Sequence, residues 1–200
     1  MKELQMLALL MMPMVFGCQK PALSGGEYMQ YVEKENNGLK HIKQIGDMSF
    51  QMQYCPTEYL LLNEYKTEYL PHEVVEERLI NNDSMLFFKL RIKADGSNDV
   101  LNYQIDSGDD YYARVQYLSY GFEENIALVQ GIDTIFPALF HFERTYGIAP
   151  FADFMLAFNA GIGEDDSFQI LVDDKVFDNG LLKFSYKEED IRTIPELITQ

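Results

Sequence analysis

Residues 85–92 read Met85-Leu86-Phe87-Phe88-Lys89-Leu90-Arg91-Ile92, and their alternation sets the fold class. Side chains on a strand point to opposite faces in turn, so Leu86, Phe88, Leu90 and Ile92 make one apolar row facing a core. The loop Asp95-Gly96-Ser97-Asn98-Asp99 ends the strand. Upstream, Met48, Phe50, Met52 and Tyr54 repeat the period of two, with Ser49, Gln51 and Gln53 on a polar outer face. Gly46-Asp47 is a turn, and residues 39–45 read as a further strand.

Helical spacing fills the gaps in this first half. Residues 27–35 form a helix with Tyr28 and Val32 on one face, stopped by Asn36-Asn37-Gly38. Pro56-Thr57-Glu58 opens a second helix carrying Leu62, Tyr65 and Tyr69, and residues 73–80 continue after Pro71. Residues 109–120 place Tyr111, Val115 and Leu118 at i, i+4 and i+7. From Asn125 onward the pattern becomes strands, over 126–130, 135–146, 151–159, 168–172 and 181–186. Pro137 marks an edge or bulge within the second of these, and Asn179-Gly180 is a hairpin signal. Eleven of the thirteen tyrosines lie between residues 28 and 120, and ten of the fourteen phenylalanines lie after 121. The expected fold is mainly β, an antiparallel β-sandwich with helical insertions in its N-terminal half, with α+β as the alternative.

Charge and composition bound the function. The 200-residue chain carries 32 acidic and 16 basic side chains, a formal charge of −16. Duplex nucleic acid and anionic membrane surfaces recruit Lys and Arg, so neither is an expected partner of the folded domain. A 47% hydrophobic content suffices for a core, and two cysteines cannot form a disulfide scaffold.

The N-terminus reads as an address. Met1-Lys2 is followed by the apolar run Leu4–Phe16, too short to cross a bilayer and interrupted by Pro13, which is the pattern of a signal peptide over residues 1–17. Val15-Phe16-Gly17-Cys18 resembles a bacterial lipobox, which implies lipidation of Cys18 as the mature N-terminus; a secreted protein cleaved elsewhere is the alternative. Residue 19 is Gln rather than the Asp associated with inner-membrane retention, so the expected location is the outer membrane, facing the periplasm. Residues 18–26 are expected to be the lipidated cysteine and a flexible tether, and residues 27–200 a single globular domain. Cys55, the thiol left over, is expected to be buried.

No residue pattern points to catalysis. G-x-S-x-G and S-x-x-K are absent, and Gly161-Ile162-Gly163 runs into Glu164-Asp165, which would repel a phosphate. His41, His72 and His141 are scattered without zinc-ligand spacing, and the acidic clusters lack the spacing of an EF-hand, so no metal site or cofactor is expected. Five tyrosines within eighteen residues, Tyr103, Tyr111, Tyr112, Tyr117 and Tyr120, exceed what one helix face buries and form the candidate interaction surface. The stretch from Glu35-Asn36-Asn37-Gly38-Leu39 to Tyr54-Cys55-Pro56-Thr57-Glu58-Tyr59, with Glu189-Asp190-Ile191 and Ile194-Pro195 near the C-terminus, resembles uncharacterised envelope lipoproteins of Bacteroidota. That resemblance implies a Gram-negative envelope location and brings no catalytic residues. The expected function is a non-enzymatic, lipid-anchored accessory or scaffold protein that docks on an outer-membrane or secretion-type complex. A glycan- or Ca-binding envelope module is the alternative.

Overall fold

The computed structural model describes residues 21–145, 147–162 and 167–200. In chain order the elements are β1 (Ala22–Leu23), α1 (Gly25–Glu33), β2 (Lys40–Ile45), β3 (Met48–Tyr54), α2 (Thr57–Tyr65), α3 (His72–Asn81), β4 (Met85–Ala94), α4 (Gly108–Tyr120), β5 (Ile126–Gln130), β6 (Asp133–Ile135), β7 (Leu139–Glu143), β8 (Phe151–Asn159), β9 (Ser167–Asp174), β10 (Gly180–Lys187), α5 (Glu188–Arg192) and β11 (Glu196–Leu197). Two open antiparallel sheets, ordered β2-β3-β4-β8-β7 and β10-β9-β5-β6, make a mainly-β, sandwich-like fold, with α1 to α4 in the first part of the chain.

Alternation explains how the sheets meet. The even-numbered residues of β4 and β8 point inward and are buried, and Phe88 stands where the sheets touch. Its ring lies 5.4 Å from Tyr54 and 5.9 Å from Phe158 within its own sheet, and 6.0 Å from Phe168 and 5.2 Å from Tyr186 across the interface. Edge-to-face contacts of this kind add to the area term of burial. The Tyr186 hydroxyl would be costly to bury alone, and it donates to the Met52 carbonyl of the opposite sheet at 2.9 Å. A second aromatic cluster centres on Phe154, against Phe122 at 5.2 Å and Phe142 at 4.8 Å.

Three local expectations change, and two C-terminal elements come in addition. The tether expected over 18–26 is folded from residue 22 onward: Ala22 and Leu23 pair in parallel with Glu196 and Leu197, and Ser24 begins α1. The Glu27 carboxylate accepts from both the N–H and the hydroxyl of Ser24, at 3.0 and 2.7 Å, and Gly25 packs so closely on the Glu68 backbone that a Cβ would clash. Serine and glycine here cap and pack a helix rather than loosen a linker. The single strand expected over 135–146 is two strands in different sheets, because the chain crosses between them at Phe136-Pro137-Ala138. Phe136 is therefore exposed, Ala138 donates to the Ala157 carbonyl, and Tyr146 lies outside the described residues. The β9–β10 hairpin exists, but its loop spans residues 175–179, with Asp178 and Gly180 at positive φ. The Asp174 carboxylate shapes it by accepting from the backbone N–H of Val176 and Phe177 and from the Asn179 amide. Finally, α5 and β11 bring the C-terminus back beside β1, where Ile198 donates to Leu23 and Gln200 to Leu70.

Candidate functional site

The five tyrosines do not share one environment. Tyr103 is half-buried against Phe177, and its carbonyl accepts from Arg114 at 2.6 Å. Tyr117 is half-buried with its hydroxyl accepting from Asn125 at 2.6 Å, and burial pushes its phenol up. Tyr111 packs on the core from one side. Tyr112 and Tyr120 instead project into solvent, 71% and 78% exposed. With exposed Gln116 between them they mark a stripe at intervals of four along α4. The opposite stripe, Val115 and Leu118, is buried, and Ser107 caps the helix through the Asp110 N–H. Two large aromatics thus stand on a helix whose near surroundings, Asp106, Asp109, Asp110, Glu123 and Glu124, are acidic. At the start of α4, Asn102, Asp106, Ser107, Tyr111 and Tyr112 border an open cavity of about 350 Å³.

A second site lies on the outer face of the five-stranded sheet. Register places Arg91 across from Asp153, Asp153 across from Glu143, and Lys89 across from Met155. Asp153 is the one charge in the apolar strand β8, and its buried carboxylate accepts two parallel bonds from Arg91 Nε and Nη2, both 2.6 Å. The guanidinium also lies 3.7 Å over the Phe151 ring, and the Asp153 hydrogen bonds raise its pKa further. Tyr59, Leu60 and Asn63 of α2 form the facing wall, and the half-open cavity between them measures about 430 Å³. The sequence pattern alone placed Lys89 and Arg91 on an outward face; the missing signal was which strand pairs with β4, since Asp153 lies 62 residues away.

Cys55 lines the same cavity but is buried, and burial pushes its thiol up to about 12. It is the buried, unpaired cysteine that the sequence suggested. Two carboxylates in acidic loops are spent on structure: Asp99 accepts from Leu101 N–H and the Asn102 amide, and Asp174 organises its hairpin. Among the described residues no group of three or more His, Cys, Asp or Glu side chains is arranged to hold a metal ion. Glu164, Asp165 and Asp166, like Cys18, lie outside the described residues. His141 and Glu143 both point outward from β7. Compared with protein-family models, characterised proteins and solved structures, the chain gives no significant match.

Proposed function

We propose that this chain is a lipid-anchored accessory protein of a Gram-negative envelope, tethered to the outer membrane through Cys18, facing the periplasm, and docking on a protein partner through α4. The observation that carries the docking surface is the pair Tyr112 and Tyr120, exposed on one helix within an acidic surround. Tyrosine supplies contact area at low entropic cost, and the flanking carboxylates select a partner whose facing surface is basic. The Gly17-Cys18 sequence supports the anchor. Because β1 begins at residue 22, acyl chains on Cys18 would leave a leash of about 14 Å at full extension, holding the β1–β11 end against the bilayer.

Photo-crosslinkers placed at 112 and 120 in living cells test the docking surface, with Leu181 on the other sheet as the control position. The expected result is one adduct shared by 112 and 120, absent at 181, and lost on adding Tyr112→Ser to the chain labelled at 120. An identical adduct pattern at all three positions would overturn it. The cavity beside Tyr111 and Tyr112 favours a second reading, a glycan site in which an aromatic face meets Asp106 and Asn102. A glycan that raises the melting temperature by a few degrees, and only while Tyr112 is present, would select that reading.

A further inference from the structure

We propose that the cavity between α2 and the outer face of β4, β8 and β7 binds a small organic carboxylate with an apolar body, held by Lys89. This site is separate from the α4 surface and independent of it.

The first observation is a surplus of donors. In a chain with 32 acidic residues against 16 basic ones, the neighbouring outward positions Lys89, Arg91 and Lys93 of β4 gather three cations on one strand face. Lys93 pairs with Asp95 at 3.8 Å and Arg91 with Asp153. Lys89, half-buried in the cavity wall, has no carboxylate within ion-pair distance and no hydrogen bond to its ammonium among the described residues. Its cross-strand neighbour is Gln53, which is only 2% exposed and whose amide nitrogen has no acceptor. Gln53 lies outside the cavity lining, so the donor that the cavity itself presents is the unpaired Lys89 ammonium. Arg91 adds a second: Asp153 occupies Nε and Nη2, leaving Nη1 without a protein acceptor among the described residues.

The second observation is the shape and lining of the space. Leu60, Met155 and the Phe151 ring supply apolar walls, and Tyr59 and Asn63 close the α2 side. A volume of about 430 Å³ suits a small molecule rather than a peptide chain. An apolar wall with a cation at one end takes an amphiphile whose single charge is negative. Phosphate dianions are disfavoured, because Asp153 and Glu143 stand in the same wall as Arg91 and would repel a second charge. Glu143 contributes repulsion even to a monoanion, which gives the proposal a second, opposite-signed test.

The probe is 3-phenylpropionate, with 3-phenylpropionamide as its uncharged isostere, titrated into the purified chain and followed by amide chemical shifts. The acid is expected to saturate shifts at residues of β4, β8 and α2 below about 10 mM, and the amide to bind at least tenfold more weakly. Lys89→Met, which keeps the apolar stem, is expected to weaken the acid tenfold or more while leaving the melting temperature within about two degrees. Glu143→Gln is expected to tighten it. Absence of saturable shifts with the acid, equal binding of acid and amide, or unchanged affinity in Lys89→Met would each overturn the proposal. The Glu143→Gln variant keeps it falsifiable if Lys89→Met unfolds, since weaker binding there would also contradict it.

Discussion

Asp153 and His41 show how single side chains carry more than their own position. Asp153 is buried, and its charge is tolerated because Arg91 meets it with two hydrogen bonds. Removing one partner of such a pair strands the other in a poorly solvated site, which typically costs several kcal/mol. Asp153→Asn should therefore lower stability by about 3 kcal/mol in chemical denaturation, and Asp153→Asn with Arg91→Met together should cost less than the sum of the single changes. His41 packs edge-on against Tyr186 at 4.6 Å with its Nε2 buried and unpartnered. Burial lowers its pKa below the ordinary 6.5, outweighing the opposing effects of the Gly38 carbonyl and Asp190. The unfolded chain thus takes up this proton first as pH falls. The contribution of neutral His41 is complete above about 6.5 and is lost as pH drops toward the folded value. Relative to His41→Gln, the wild-type chain should lose melting temperature between pH 7 and pH 5; an unchanged difference across that range would remove the effect. Burial of Cys55 was legible once Cys18 was read as the anchor, leaving one thiol, whereas the partners of Asp153 and His41 were not, because both depend on pairing between distant strands.

At the level of elements, the clearest expectations were those with strong local periodicity. The strands over 48–54, 126–130 and 151–159 occupy the same residues in the structure, since each is bounded by a turn or a helix start. The expectations that changed involved residues whose local chemistry fits two roles. Phe136, Ala138, Phe140 and Phe142 alternate as one strand would, yet Pro137 falls where the chain leaves one sheet for the other. Likewise Ser24-Gly25-Gly26 is linker-like in composition but begins a helix packed on Glu68. The five candidate tyrosines divide in the same way. Helical spacing placed Tyr112 and Tyr120 off the buried stripe, but only the structure shows Tyr103 and Tyr117 held by Phe177 and Asn125. Because Tyr112 and Tyr120 contribute little to the core, Tyr112→Ser with Tyr120→Ser should change stability by less than about 1 kcal/mol. A larger loss in denaturant titration would mean the pair serves the fold rather than a partner.

At the scale of the molecule, two open sheets meet through an aromatic core, and residues 22–23 and 196–197 are drawn together as β1 and β11 pair. The excess acidity is distributed over loops and helix faces, while the outer face of β4 collects basic side chains. Under the proposed function the domain would use separate surfaces: an end held at the membrane by a short leash, an α4 face for a partner, and a sheet face with its own cavity. The proposal depends most on Cys18. Feeding cells an alkyne-tagged fatty acid, then separating envelope from soluble fractions, measures lipidation and location together. The wild-type protein should carry the label and sediment with outer membranes, and Cys18→Ala should be unlabelled and released. An unlabelled wild-type protein, or a Cys18→Ala variant that still sediments with the outer membrane, would contradict the lipid anchor.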